Sequence, residues 1–171
     1  GVKALLTNMN GWSNRVTDQE ARWLFDYVDD HCYVDHPQFI AKPGRLPSRC
    51  NNHSPFPDGA TGGLHVGFTR LPGKPFTLTE YNYSAPGRFR GAGGMLTGAL
   101  GALQDWGGIW RFAYSHNREN LFQSKPMGYF DVATDPLNQA SERAAMCLFL
   151  RGDMKPAPHQ VTVLLSRAGP A

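Results

Sequence analysis

The chain has 171 residues, 41% hydrophobic and 18% charged, with a formal net charge of +3. That balance is ordinary for a globular chain, long enough for one domain with a real core but short of the roughly 200 residues or more that a complete (β/α)8 barrel takes. Lys and Arg are scattered, with no basic stripe or RNA-binding signature, so nucleic acid is not an expected partner.

No run approaches the roughly 18 apolar residues of a membrane span, and no secretory signal is visible, so no membrane partner is expected. Cys32, Cys50 and Cys147 are odd in number and widely spaced. They read as reduced, mostly buried thiols rather than a disulfide framework, which leans toward a cytoplasmic setting.

In chain order, Val2–Asn8 (V-K-A-L-L-T-N) is a short apolar run that reads as a strand, ending in a polar loop, Asn8–Trp12, that carries an aromatic. Thr17 and Glu20 have the spacing of a capping box, predicting a short helix through Leu24. Phe25–Tyr33 has β-type content with period-2 alternation. Phe25, Tyr27, Asp29, His31 and Tyr33 share one phase, so His31 and Tyr33 fall on one face near the strand's end. From His36 to Pro72 the chain is rich in Pro, Gly, Asn and Ser and lacks periodicity. A connection this long is usually functional within a compact domain. Residue by residue, Arg49, Asn51, Asn52 and His53 still read as solvated surface rather than pocket lining.

Gly73–Asn82 (G-K-P-F-T-L-T-E-Y-N) is a turn feeding an aromatic and β-branched run, which predicts a buried strand delivering Glu80 at its C-terminal end. Parallel α/β sheets and barrels place their chemistry at that end, and a carboxylate there is costly to bury without a task or a partner. The plain alternative is a pair with Arg88 or Arg90, in the Gly/Pro-broken loop that follows.

Met95–Trp106 has helical spacing through Leu96, Leu100 and Leu103, with glycines that predict close packing against a sheet. Gly108–His116 reads as a fourth, aromatic-rich strand with Tyr114 and His116 in phase at its end. Asp135–Leu150 is an amphipathic helix with Pro136 in its first turn and Gly152 past its end. The tail from Lys155 is a Pro-rich linker with one strand-like run, Val161–Leu165. The alternation predicts an α/β fold with a parallel sheet: a (β/α)4 unit over residues 1–154, then the tail 155–171.

His31-Cys32-Tyr33, Thr79-Glu80-Tyr81-Asn82 and the aromatic stretch Trp110–His116, in that order, resemble retaining glycoside hydrolases with a (β/α)8 barrel, the clan of β-galactosidases, β-glucosidases, cellulases and mannanases. Asp29–Pro37, Gly73–Asn82, Gln104–His116 and Leu148–Pro156 widen the resemblance to nearly the whole chain, as strands five to eight of such a barrel. The resemblance implies Glu80 as nucleophile, with Tyr33 donating a hydrogen bond to it. It implies His31, Asn82, Tyr114 and His116 as substrate-binding groups, with Tyr114 and Trp110 as sugar-stacking candidates. For His31 the plain alternative is a core histidine, and for Trp110 it is core packing.

The mechanism needs neither metal nor cofactor, only two carboxyl groups. The clan's proton-donating Glu, which follows an Asn on strand four, has no counterpart here. Asp29, Asp30, Asp35 and Glu119 do not stand out as replacements. The expectations are therefore a β-galactoside or β-glucoside hydrolase whose half-barrel is closed by self-association, as a homodimer or higher assembly, or an inactive carbohydrate-binding or structural fragment. A serine-type α/β hydrolase has no nucleophile elbow to support it.

Overall fold

Three parallel strands form the frame: β1 (Val28–Val34), β4 (Phe76–Tyr83) and β5 (Gly108–Arg111), with β4 in the middle. Two short strands, β2 (Gln38–Phe39) and β3 (Ser48–Arg49), make a separate antiparallel pair within the long connection. The computed structural model describes residues 1, 3–7, 17–44, 47–56 and 65–164. Val2, the Asn8–Trp12 loop and Leu165 lie outside the described residues.

Parallel strands need a crossover, and a helix usually supplies it. From β4 to β5 it is the helix Gly93–Leu103. From β1 to β4 it is the long connection, in which residues 65–67 are helical and Val66 and Leu71 are buried. The core consists of Val28, Cys32, Val66, Leu71, Phe76, Leu78, Tyr81 and Trp106, with Leu100, Ile109 and Phe149 packed against it. Phe76 and Trp106 meet at a ring separation of 5.0 Å. Fully burying one such apolar side chain contributes about 1.5–3 kcal/mol, so this one face of the sheet supplies much of the fold's stability.

The helix Gly93–Leu103 packs more closely than its leucines imply. Its buried stripe is Gly94, Thr97, Gly98 and Gly101, while Leu96 and Leu100 are half-buried and Leu103 is exposed. A Cβ on Gly94 would meet the Ser141 carbonyl oxygen at 2.2 Å, and one on Gly98 would meet Ala145 Cα at 2.7 Å. The predicted close approach is therefore chiefly helix against helix. Gly93 against Tyr83 and Gly101 against Ile109 make the contact with the sheet.

The partner helix, Pro136–Ala145, starts as its sequence dictates. Pro136 occupies the first turn, where its missing N–H costs nothing. The Asp135 carboxylate accepts from the Leu137 and Asn138 amides at 3.0 and 3.4 Å and from Arg90 Nε at 2.6 Å. The helix runs on as a π turn, Met146–Leu150, and stops before Gly152, whose φ of +75° lies in the left-handed region.

Four expectations are corrected. Lys3–Thr7 is not a strand, because it makes only isolated bonds to the entry of β1. These are Leu6 N to Asp26 Oδ2, Asp26 N to Leu6 O and Thr7 Oγ1 to the Tyr27 carbonyl. Val161–Leu164 is likewise irregular and exposed, with no neighbouring strand to pair with. Gln19–Arg22 is a single helical turn without the predicted box: Asp18 precedes it and makes no side-chain cap, and Thr17 donates instead to Asp18. The fourth predicted strand ends at Arg111, so Tyr114 and His116 sit in the loop beyond it. The described residues thus form a mixed α/β fold on three parallel strands rather than four.

All three cysteines are free, with Cys32 buried and Cys50 and Cys147 half-buried. No helix among the described residues is long and apolar enough to cross a membrane.

Candidate functional site

The site lies on the face of the sheet opposite the core. Alternation along β1 sends Val28 and Cys32 into the core and Asp29, His31 and Tyr33 to the other side, as the sequence predicts. In β4, Phe76 and Leu78 face the core. Strict alternation would put Glu80 with them, on the wrong face. A β-bulge prevents this: Asp30 pairs with Leu78 but His31 pairs with Glu80, leaving Thr79 as the extra residue. The phase slips by one, so Tyr81 and Tyr83 return to the buried side while Thr77, Thr79 and Glu80 line up beside Asp29, His31 and Tyr33.

The carboxylate of Glu80 is 35% exposed. Tyr33 donates its phenolic proton to Glu80 Oε2 at 2.7 Å, and His31 Nδ1 lies 3.3 Å from the same oxygen. Burial, followed by the bond to Glu80, holds the Tyr33 phenol well above its ordinary range. It therefore stays protonated and can only donate to that carboxylate. Neither arginine offered as a structural partner is used. Arg90 pairs with Asp135, and Arg88 lies over the Phe89 ring.

Beneath this pair sits Asp29, 1% exposed. Its Oδ1 accepts from Thr77 Oγ1 at 2.6 Å and Thr79 N at 3.2 Å, and its Oδ2 accepts from Thr79 Oγ1 at 2.6 Å. Arg22 NH1 donates to the Asp29 carbonyl from the other side. Aromatic rings hold Tyr33 in place. His36, Phe112 and Phe130 stand edge-on to it at 5.5, 6.3 and 5.7 Å. Phe112 is joined to Ala113 by a cis peptide bond.

The remaining predicted residues are spread out. Asn82 is fully buried, its amide donating to the Phe112 and Phe130 carbonyls and its oxygen accepting from Arg111, so it ties strand ends together instead of facing solvent. His116 packs on Phe112 at 5.2 Å and bonds through Nδ1 to Asp131, which also accepts from Asn120. It stands one aromatic ring away from Tyr33. Tyr114 is 65% exposed and, among the described residues, shares no ring contact or hydrogen bond with Tyr33, His31 or Glu80. Trp110 is 53% exposed rather than packed in the core, and its ring lies back over Gly108, where a Cβ would touch it at 2.4 Å. Asn52 braces the loop below, its amide donating to Asp35 and its side-chain oxygen accepting from the Arg88 amide.

Thr77, Thr79, His36, Phe112, Phe130 and Asp131 were not singled out from the sequence. Thr77-x-Thr79 carried a usable signal, two hydroxyls at strand spacing beside an apolar phase. The aromatic contacts join residues distant in the chain, which sequence patterns do not reveal.

The site thus offers an exposed carboxylate with one phenolic donor, a histidine beside it, and a second carboxylate buried below. No group of three or more His, Cys, Asp or Glu side chains among the described residues is arranged to hold a metal ion. No family model matches this chain, and neither the curated proteins nor the solved structures give a match.

Proposed function

We propose that the chain is a β-glycosidase acting on β-galactosides or β-glucosides by a retaining mechanism, with Glu80 as nucleophile. The observation that carries this reading is the Tyr33–Glu80 bond of 2.7 Å on a half-exposed carboxylate with His31 alongside. A retaining nucleophile must be ionised, aimed and open to the anomeric carbon. Glu80 Oε would bond to that carbon as the glycosidic C–O bond breaks, and water would later release the sugar.

The second carboxyl group, about 5–5.5 Å from the nucleophile in retaining enzymes, is not Asp29, whose oxygens are buried and filled by threonine donors. We propose that a second copy closes the barrel and completes the site. The sheet order leaves β1 and β5 as edges, and Leu5, Leu6, Trp23 and Leu24 are exposed near the start of β1. Open edges and apolar surface of this kind favour association. Light scattering should then show a dimer or larger species at micromolar concentration, and a well-folded monomer would end the half-barrel proposal.

A second reading, a carbohydrate-binding or structural fragment without turnover, is favoured by the same lack of a free acid beside Glu80. Hydrolysis of nitrophenyl β-galactoside and β-glucoside separates the two. Glu80→Gln should abolish turnover and leave the melting temperature unchanged or slightly raised. A 2-fluoro glycoside should label the wild type on the peptide containing Glu80 and leave the variant unlabelled. Labelling elsewhere, or inversion at the anomeric carbon, would remove Glu80 as nucleophile.

A further inference from the structure

We propose that His31 is a doubly protonated imidazolium clamped between two carboxylates, Asp29 and Glu80, and that the Thr79 hydroxyl fixes which ring nitrogen faces which. The argument is donor and acceptor counting. Thr79 Oγ1 has one proton, and at 2.6 Å from Asp29 Oδ2 that proton is committed to the carboxylate. A hydroxyl that has given its proton away can only accept. The His31 Nε2 atom, 3.0 Å from Thr79 Oγ1, must therefore carry a hydrogen and donate it.

The other ring nitrogen, Nδ1, lies 3.3 Å from Glu80 Oε2, an oxygen that already accepts from Tyr33. A bare nitrogen lone pair against that oxygen would repel it, so Nδ1 carries a hydrogen too. The charged groups around the ring agree. Asp29 Oδ2 is 3.6 Å from Nε2, and Asp29 has no other cationic side chain against its carboxylate among the described residues. Arg22 reaches only its backbone carbonyl, and Asp30 accepts the His31 backbone N–H. One imidazolium thus serves two acids, one buried and one open.

The bulge makes the arrangement possible. It places Thr79 and Glu80, neighbours in sequence, on the same face, so one imidazole spans both. His31 is on this account a positioning residue. It orients Glu80 while that carboxylate is an anion, and its Nδ1–H is left facing a neutral ester when Glu80 is bonded to a sugar. That last use rests on the glycosidase reading, whereas the protonation pattern does not.

The test is 15N NMR of the full chain labelled at histidine, at neutral pH and without substrate. In the wild type both His31 nitrogens should show imidazolium shifts, and Glu80→Gln should strip the Nδ1 proton while leaving Nε2–H. Thr79→Val should abolish the Nε2–H preference when combined with Glu80→Gln, and Thr79→Ser should restore it. Should Thr79→Val fail to fold, wild type, Glu80→Gln and Thr79→Ser still decide the matter. A wild-type ring that is neutral, or a Glu80→Gln ring that keeps both protons, overturns the proposal. Imidazolium without turnover counts against the glycosidase reading alone, and turnover with a neutral ring counts against this inference alone.

Discussion

The two faces of the sheet are built from the same three strands and differ in almost every other respect. On the core face Val28, Cys32, Phe76, Leu78, Tyr81 and Ile109 interlock with Trp106, Leu100 and Phe149. On the opposite face Asp29, His31, Tyr33, Thr77, Thr79 and Glu80 are joined by hydrogen bonds and ion-pair contacts. The first arrangement tolerates no vacancy, because neighbours collapse only partly into a void. The second tolerates no unmatched donor or acceptor. Stability is therefore concentrated on one side of the sheet and reactivity on the other, within a strand's thickness.

Substitutions on each face should separate stability from activity. The largest effect is expected from Leu78→Ala, at a fully buried position in the central strand. It should lower unfolding free energy by about 2–5 kcal/mol in a urea titration, and a loss under 1 kcal/mol would mean the core face is not what holds the sheet. Tyr33→Phe removes one hydroxyl from the polar face. It should slow turnover roughly 10- to 1000-fold with the urea midpoint nearly unchanged, and an unaltered kcat would take Tyr33 out of the site.

The smallest effect spans both faces and appears only at alkaline pH. Burial raises Tyr33, Tyr81 and Tyr83 above their ordinary value of 10.0, with Glu80 adding to the shift at Tyr33 and Glu142 at Tyr81. Above that pH the unfolded chain releases these protons and the folded chain keeps them. The unfolded state then binds fewer protons, so the stability present below pH 10 is lost as pH rises beyond it. A urea midpoint that is flat from pH 9 to 11, or six tyrosines that all ionise near pH 10 in the intact fold, would contradict the burial of these rings.

Much of the frame was legible because its signals are local. The one-face phase of Asp29, His31 and Tyr33 needs only period-2 alternation, and the Asp135-Pro136 start needs only two adjacent residues. What failed depended on partners. Lys3–Thr7 and Val161–Leu164 have strand composition, but a strand exists only where another accepts its hydrogen bonds. The leucines of the Gly93–Leu103 helix misled because its buried stripe is glycine, chosen for the closeness of Ser141 and Ala145. The bulge at Thr79 mattered most. Counting by twos from Leu78 sends Glu80 to the core, so the site's central carboxylate was found by resemblance and by the cost of burying it, not by phase.

The separation in sequence between the two halves of the site has a kinetic side. Tyr33 meets Glu80 across 47 positions, and Asp29 meets Thr79 across 50. No part of the cluster exists until β1 docks on β4 and closes that long chain segment. Its assembly therefore reports on sheet closure, and non-local closures of this kind are slow steps in folding. Thermodynamically the closed segment is lenient, since doubling a flexible loop costs only about 0.6 kcal/mol. Natural insertions between His36 and Pro72 can thus lengthen the connection greatly while the carboxylate, phenol and imidazole keep their spacing, provided β2 and β3 stay outside the parallel sheet, as they do here.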